Sequence, residues 1–223
     1  MDSWRKHMPD YEIKEWNEEN FDVNIIPYTA EAYKAKKYAF VSDYARFWIL
    51  YHYGGVYFDT DVEVIKPLTD IIAKGNYMGC EKDYQTEGGA ADICVAPGLG
   101  MAVNPGLGIL KELLDLYSSL HFLNPDGSYN QKTIVRYTTE QLCRHGLQNT
   151  PNIQYCASLY IYPKEYFCPI DYWTGKKTVT NNTYSIHHYA ASWIGTGRKL
   201  KNLTKRYVGY NRILKWIQKK RKE

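Results

Sequence analysis

Several features of membrane, disulfide-rich and mononucleotide-binding proteins are missing from the sequence. No apolar run is long enough to span a membrane and no signal peptide precedes Asp2, so we expect a soluble, cytoplasmic protein. The five cysteines are scattered and include no C-x-x-C pair, which favours reduced core thiols over zinc or redox sites. The glycines of residues 88–108 have neither G-x-G-x-x-G nor P-loop spacing, which predicts a loop and strand instead of a phosphate cradle.

The composition is that of one α/β domain with an unusual number of tyrosines. The 223 residues, 44% of them hydrophobic, are enough for a single domain with a proper core. The 22 tyrosines suit sugar recognition, since the ring can stack on C–H groups while the hydroxyl bonds to sugar hydroxyls. For most of them we expect the alternative role, which is packing in half-buried positions.

Residues 41–66 hold a helix, a stop, a strand and a pair of carboxylates in immediate succession. Ser42 has the position of an N-cap, and an apolar stripe follows it at helical spacing: Tyr44, Phe47, Trp48 and Tyr51. Gly54 and Gly55 predict the end of this helix, because glycine tolerates the left-handed conformation of a C-cap. Asp43 and Arg46 lie three residues apart on another side of the helix, where both can point at one ligand.

A short strand then leads to two acidic side chains. Residues 56–58 favour strand structure and are followed directly by Asp59, Thr60 and Asp61. Residues i and i+2 of an extended segment face the same way, so both carboxylates emerge together at a strand end, where open α/β sheets bind ligands. A cation such as Mn²⁺ or Mg²⁺ would offset their repulsion and bridge to substrate phosphates. An isolated Asp-x-Asp also arises by chance in loops, so the motif alone does not establish a metal site.

The motifs S-D-Y-A-R at residues 42–46 and Y-x-x-G-G-V-Y-F-D-T-D-V at residues 51–62 resemble glycosyltransferase family 32, the sugar transferases with a DXD motif. That family includes capsular-polysaccharide and initiating mannosyl transferases, and the clostridial glucosylating toxins are more distant relatives. The resemblance implies a GT-A-like α/β domain with a mixed central sheet flanked by helices. It also implies a UDP- or GDP-sugar donor, Mn²⁺ or Mg²⁺ on the donor diphosphate, and retention of anomeric configuration.

Residues 184–193 resemble the His-to-Trp motif near the C-terminal end of the same family. A neutral imidazole can complete the coordination of a cation that two aspartates hold only in part. On a strand His187 and His188 face opposite ways, so one of them can reach the metal, and the motif favours His187. The alternative is that both are polar surface histidines. Trp193 would cover the diphosphate or the sugar, or lie in the core.

The resemblance implies a distribution of roles among these residues. The expected metal ligands are Asp59, Asp61 and His187, the expected donor-binding residues Asp43, Arg46, Tyr57, Asp59 and Trp193, and the expected catalytic residues Asp43, Arg46 and Asp59. Arg46 would add positive charge near the sugar–phosphate linkage, and Asp43 would hold sugar hydroxyls. We expect hexose transfer to a saccharide or lipid-linked saccharide acceptor in surface-polysaccharide synthesis.

The sequence departs from this family at its start. Relatives usually begin with an additional hydrophobic strand near the nucleotide base and a connecting helix, whereas this chain starts inside that helix. We therefore expect the first strand to be missing, which puts base recognition in doubt. Elsewhere the periodicity predicts the end of a helix at residues 4–9, strands at 11–16 and 77–81, helices at 31–37, 67–74, 109–120 and 133–145, and a strand and turn at 160–167.

Residues 198–223 differ in composition from residues 1–197, which we assign to the GT-A-like domain. This tail holds 11 of the 28 Lys and Arg residues but only one of the 24 acids, so it supplies the positive net charge. Its apolar residues recur at three- and four-residue steps, which predicts a basic amphipathic helix. The helix either lies on the anionic inner face of the cytoplasmic membrane, near a lipid-linked acceptor, or docks on the domain. Nucleic acid binding is disfavoured, because nothing else resembles a nucleic-acid module.

Two other functions are compatible with a strand followed by D-x-D. A phosphatase of the haloacid dehalogenase type carries this motif near its N-terminus, with a lysine and an acidic pair downstream that this sequence does not show. A non-catalytic protein that binds sugars or nucleotide sugars would also explain a missing first strand. Incubation with nucleotide sugars and Mn²⁺ separates the three, through release of nucleoside diphosphate, release of phosphate from simple esters, or binding without turnover.

Overall fold

The computed structural model describes residues 1–83, 93–171 and 175–189, which form a mixed α/β domain. The strands of this part are β1 (Gly55–Tyr57), β2 (Val62–Val64), β3 (Tyr77–Lys82), β4 (Cys94–Val95), β5 (Met101–Val103), β6 (Gln154–Cys156), β7 (Leu159–Tyr162) and β8 (Ser185–His187). Its helices are α1 (Asp2–His7), α2 (Pro27–Lys34), α3 (Tyr38–Tyr53), α4 (Thr69–Ile72), α5 (Gly108–Ser118), α6 (Ile134–Arg144) and α7 (Lys164–Phe167), with a 3₁₀ helix at Pro97–Leu99. A central mixed sheet flanked by helices confirms the predicted fold class.

The central sheet places the end of β1 at its edge. Its strand order is β1-β5-β3-β7-β6, and β4 pairs with β3 off this path. β3 and β7 run parallel, while the other pairs in this sheet are antiparallel. Among the described strands β1 pairs with β5 alone, with Tyr57 opposite Met101. The residues that follow Tyr57 therefore leave the sheet at an open edge.

A second, two-stranded sheet lies next to this edge. β2 and β8 pair antiparallel, with Val62 opposite His187. α1 anchors this small sheet, because the indole N–H of Trp4 donates to the carbonyl of Val62 at 2.8 Å. The Trp4 ring also packs 5.4 Å from the ring of Phe58, centroid to centroid. The start of the chain and a strand near its other end thus meet at β2.

The two faces of the central sheet pack against separate hydrophobic clusters. Because side chains alternate along a strand, β3 sends Met78 and Cys80 to one cluster and Tyr77 to the other. The larger cluster contains the inner face of α3, where Phe47 is fully buried. Burial of such a side chain contributes about 1.5–3 kcal/mol, so α3 is held mainly by packing. The predicted apolar stripe of this helix is therefore confirmed.

The start of α3 differs from the prediction. The helix begins at Tyr38, so the prediction of Ser42 as its N-cap is wrong. The Ser42 hydroxyl instead donates to the carbonyl of Ala39 at 2.8 Å within the helix. The extra turn is favourable because it buries Val41 in the larger cluster.

The strand predicted at residues 11–16 is also wrong. The structure has no strand there, and Glu12 and Glu15 are exposed. Trp16 packs against Trp48 and Tyr53 of α3, with ring centroids 6.5 and 5.4 Å apart. An alternating pattern becomes a strand only where a partner strand accepts its hydrogen bonds, and here a helix is the neighbour.

Gly54 ends α3 as predicted. Its φ is 66°, and a Cβ at this position would lie 2.7 Å from Cδ of Pro105. Glycine is required here both for the left-handed backbone and for the close approach of Pro105. Across the described residues, the helices lack the combined length and hydropathy that crossing a membrane requires.

Candidate functional site

Three side chains with metal-ligand chemistry converge where the two sheets meet. Asp59 follows β1, Asp61 precedes β2, and His187 ends β8. The pairing of β2 with β8 brings His187 beside Asp61, although the two are far apart in the chain. One potential ligand atom from each of the three side chains lies within 4.8 Å of the others. We call Asp59, Asp61 and His187 the acid–imidazole cluster.

The two adjacent histidines point to opposite sides of β8. Nε2 of His187 lies 3.2 Å from Oδ1 of Asp61 and 3.9 Å from Oδ2 of Asp59. Nε2 of His188 lies 2.8 Å from Oε2 of Glu63, in an exposed pair on the outer side. The structure therefore brings His187, and not His188, to the aspartates.

The two carboxylates favour protonation of His187. Burial lowers the pKa of His187, but its contacts with Asp59 and Asp61 outweigh burial and raise the pKa to about 9. Nδ1 of His187 is buried and has no hydrogen-bond partner among the described residues. A proton on His187 and a divalent cation neutralise the same two carboxylates, so the two compete for this cluster.

Arg46 bridges two carboxylates beneath the cluster. Its Nη1 donates to Oδ1 of Asp59 and its Nη2 to Oδ1 of Asp43, both at 3.0 Å. The side chain is 6% exposed, and its guanidinium also stacks 4.7 Å from the Tyr57 ring centroid. The Tyr57 hydroxyl donates to the same Oδ1 of Asp59 at 2.9 Å. Arg46 and Tyr57 thus fix the orientation of the Asp59 carboxylate.

One guanidinium cannot fully neutralise two buried carboxylates, and their pKa values diverge. Burial, reinforced by the charge of Asp59, raises the pKa of Asp43 to about 6 against the opposing charge of Arg46. Burial also opposes ionisation of Asp59, but Arg46, His187 and Tyr57 together lower its pKa. Asp59 is therefore the carboxylate that stays ionised over the cluster.

Gly98 contacts Asp59 and was not predicted from the sequence. Its carbonyl accepts the backbone N–H of Asp59 at 3.0 Å. A Cβ at Gly98 would lie 2.1 Å from Oδ2 of Asp59 and 3.1 Å from Nη1 of Arg46. Only glycine permits this approach, but no local motif marks the position, because the contact joins the 3₁₀ helix to a distant loop.

The cluster lies in the wall of a cavity of about 1240 Å³. Polar residues that line this cavity include Ser42, Asp43, Arg46, Tyr57, Asp59, Thr60, Asp61, Glu81 and His187. Asp43, Arg46, Tyr57, Asp59, Asp61 and His187 of the predicted site therefore share one cavity. Trp193 lies outside the described residues. Glu81 was not predicted, and burial raises its pKa against the nearby charges of Lys82, His187 and Lys164.

The acid–imidazole cluster fits a divalent cation. Two carboxylates and one imidazole supply three ligand atoms, which leaves coordination positions for water or substrate oxygens. The predicted strand-end placement of Asp59 explains the fit, because both aspartates reach the cavity from one short loop between β1 and β2. The donor set is compatible with either Mn²⁺ or Mg²⁺.

Comparisons with known proteins find similarity to sugar transferases. Residues 1–78 match the family described as the glycosyltransferase sugar-binding region containing the DXD motif. The chain is also 33% identical over 69 residues to inositol phosphoceramide mannosyltransferase 1 of Schizosaccharomyces pombe (strain 972 / ATCC 24843). That similarity covers 31% of this chain and 20% of the relative, so the chain spans about a fifth of the relative's length. The family match at residues 1–78 contains Asp59 and Asp61, while His187 lies outside it.

Proposed function

With residues 1–78 identified as a glycosyltransferase sugar-binding region that contains the DXD motif, we propose that this chain is a metal-dependent, retaining glycosyltransferase. It moves a hexose from a UDP- or GDP-sugar donor to a saccharide or lipid-linked saccharide acceptor. The observation that carries the proposal is the convergence of Asp59, Asp61 and His187, with ligand atoms within 4.8 Å, in the wall of a large cavity.

The acid–imidazole cluster holds the cation in this proposal. When bound, Mn²⁺ or Mg²⁺ neutralises the negative charge that develops on the departing nucleoside diphosphate. Asp61 and His187 offer their ligand atoms from the small sheet, and Asp59 offers one from the loop after β1. Asp59 is already oriented by Arg46 and Tyr57, so little reorganisation is needed when the donor arrives.

Arg46 has a different role here from the one expected from the resemblance. Its guanidinium is buried and donates to Asp43 and Asp59, so we propose that it positions Asp59 beneath the donor. Asp43 lines the cavity, where its carboxylate accepts hydrogen bonds from Arg46 and from the backbone N–H of Ile134, and we propose that it also contacts the donor sugar hydroxyls. We assign Trp193 to the donor from the sequence motif alone.

The proposed acceptor and cellular setting rest on the name of the relative, the basic tail and the sequence resemblance. The curated relative is named for mannose transfer to inositol phosphoceramide, which supports a hexose donor and a lipid-linked acceptor for this chain. The basic tail at residues 198–223 would keep the protein at an anionic membrane surface where such acceptors lie. We place the activity in surface-polysaccharide synthesis on the sequence resemblance.

A donor panel tests this proposal. The full chain is incubated with UDP-glucose, UDP-galactose and GDP-mannose, with Mn²⁺, Mg²⁺ or EDTA, and release of nucleoside diphosphate is measured. We expect slow hydrolysis of one donor that depends on the divalent cation. Absence of metal-dependent release with every donor contradicts the proposal, and release of phosphate from simple esters assigns the site to a phosphatase.

Asp61→Asn connects this activity to the cluster. Since even partners that only orient a metal ligand change affinity or activity about 10- to 100-fold, loss of a ligand itself should lower hydrolysis by at least that factor. Asp70→Asn is the matched control, because Asp70 is an exposed carboxylate on α4. Thermal unfolding confirms that both variants are folded. An Asp61→Asn variant with wild-type hydrolysis excludes the assigned ligand role.

A further inference from the structure

Glu81 lies in the same cavity as the acid–imidazole cluster but belongs to a different strand. Tyr77, Gly79 and Glu81 are spaced two residues apart along β3 and so share one face of the strand. This face packs on the smaller hydrophobic cluster, which includes Phe167. A Cβ at Gly79 would meet the Phe167 ring at 2.5 Å, so this face of the strand is packed tightly up to Glu81. Glu81, near the end of the strand, instead faces the cavity.

The Glu81 carboxylate is not used by the described part of the structure. The contacts of the described residues include no hydrogen bond or ion pair to it, although it is partly buried. By contrast, Asp43 and Asp59 both accept from Arg46, and Glu63 pairs with His188. A partly buried carboxylate is stabilised by hydrogen bonds, so Glu81 is available to accept them from a ligand in the cavity.

The position of Glu81 limits the kind of ligand. It is not a member of the group whose ligand atoms lie within 4.8 Å, so it is not a further direct ligand of a cation held there. Its negative charge repels a diphosphate, which belongs on the side of the cation. A neutral ligand with hydroxyl groups suits a carboxylate that can accept several hydrogen bonds.

Glu81 and Asp43 line the same cavity but have different charged neighbours. Asp43 reaches the cluster from α3 through Arg46 and Asp59, whereas the charged neighbours of Glu81 are Lys82, Lys164 and His187. If the donor sugar lies at Asp43, the part of the cavity near His187 and Glu81 is left for the second substrate. We propose that Glu81 binds the acceptor saccharide by accepting hydrogen bonds from its hydroxyl groups, an assignment that rests on the proposed function.

The test separates acceptor binding from donor use. Wild type, Glu81→Gln and Glu81→Ala are compared in two assays with the nucleotide sugar that the panel identifies. The first is metal-dependent hydrolysis, in which water replaces the acceptor. The second titrates methyl α-mannoside, methyl α-glucoside, methyl β-galactoside and myo-inositol as probes, and follows both binding by saturation-transfer NMR and product formation.

We expect hydrolysis and the Mn²⁺ midpoint to change less than about twofold in both variants. At least one probe should bind the wild type, and its apparent affinity should fall about 10- to 100-fold in Glu81→Ala, as for loss of hydrogen bonds to a charged group. Glu81→Gln keeps one acceptor oxygen and should show a smaller loss. Glu63→Gln is the control, because Glu63 is exposed and pairs with His188 on the outer side.

Several results overturn the assignment. These are equal probe binding by wild type and Glu81→Ala, a parallel loss of hydrolysis and probe binding, or failure of every probe to bind a wild-type protein that hydrolyses its donor. If the wild type hydrolyses no donor, the proposed function fails first, and that result is distinct from all three.

Discussion

At the scale of single residues, Asp59 is fixed from three directions. Arg46 and Tyr57 donate to the same carboxylate oxygen, and the Gly98 carbonyl accepts its backbone N–H. These contacts restrict the rotamer of Asp59 before any ligand binds. In the proposed function Arg46 therefore orients the Asp59 carboxylate, while its predicted contact with the donor stays a prediction.

Gly98→Ala tests this orientation. The new methyl group would lie 2.1 Å from Oδ2 of Asp59, so the carboxylate must move. A displacement of about 1 Å in a reacting group can cost roughly 100-fold in rate, and we expect a loss of that order in donor hydrolysis.

Gly108→Ala is the control for this experiment, since a Cβ at Gly108 has no atom within 4 Å and its φ is not left-handed. Both variants are assayed for hydrolysis, Mn²⁺ midpoint and thermal stability. Wild-type kinetics in a folded Gly98→Ala variant would show that the position of Asp59 is not critical.

Asp43 gives a second prediction at this scale, in the pH dependence of stability. Its pKa is raised to about 6 in the folded protein by burial, so it binds a proton there that the unfolded chain has released. The contribution of Asp43 to the free energy of unfolding is therefore present at low pH and is lost as the pH rises through about 6. Asp43→Asn lacks this loss, and its stability relative to wild type should rise by roughly 2 to 3 kcal/mol between pH 4 and pH 7.

Urea unfolding of wild type and Asp43→Asn in EDTA, at several pH values, measures this difference. Asp70→Asn is the matched control, because Asp70 is an exposed carboxylate on α4. A difference between Asp43→Asn and wild type that does not change with pH rules out a raised pKa at Asp43.

At the scale of elements, α1 supports the small sheet that positions two of the three cluster residues, Asp61 and His187. Trp4 donates to Val62 on β2, and β2 pairs with β8 so that Val62 lies opposite His187. The Ser3 hydroxyl also accepts the N–H of Val64 at 3.2 Å. The geometry of Asp61 and His187 therefore depends on a helix at the start of the chain.

Trp4→Ala should destabilise the protein by up to about 3 kcal/mol, because it removes ring packing together with the hydrogen bond. Trp4→Phe keeps most of the packing and should cost about 1 kcal/mol. Both should also raise the Mn²⁺ midpoint, which titration calorimetry measures. Arg5→Ala, on the exposed side of α1, is the control. Unchanged Mn²⁺ binding in Trp4→Ala would show that α1 does not influence metal binding by the acid–imidazole cluster.

The elements also show where local patterns mislead. The apolar spacing in α3 is correct, but the helix begins a turn before Ser42, since burial of Val41 outweighs the cap signal. Residues 11–16 alternate like a strand but lie against α3 through Trp16. In both cases a tertiary contact decided the outcome, and propensity is a weak guide against such contacts.

At the scale of the whole molecule, the basic composition of residues 198–223 predicts contact with an anionic membrane surface. This tail lies outside the described residues, and its assignment as a separate basic helix stays a prediction. Removal of residues 198–223 should weaken co-sedimentation with vesicles that contain anionic phosphatidylglycerol, because each basic residue near such a surface contributes about 1 kcal/mol.

Vesicles of neutral phosphatidylcholine and added salt are the controls for this experiment. Binding of the full chain should fall in both, since the attraction is electrostatic. Equal sedimentation of the full and shortened chains with anionic vesicles supports the alternative, a helix that docks on the domain.

The sequence by itself determined the segment around the acidic pair. Asp59 and Asp61 lie close because they are two residues apart, but in a turn where the N–H of Val62 donates to the Asp59 carbonyl at 3.0 Å, and not in the predicted extended segment. Asp43 and Arg46 meet because they are three apart on a helix. Gly54 ends that helix because its left-handed φ and close approach to Pro105 require glycine. These relations are local, so residue spacing and backbone geometry suffice to predict them.

Only the tertiary structure decided which distant side chains join this pair. Pairing of β2 with β8 selects His187 over His188, the approach of the 3₁₀ helix leaves no room for a Cβ at Gly98, and β3 places Glu81 in the cavity wall. Each of these contacts joins segments that are remote in the chain. Their side chains meet because strands pair and faces of the sheet pack, and spacing along a single sequence does not contain that information.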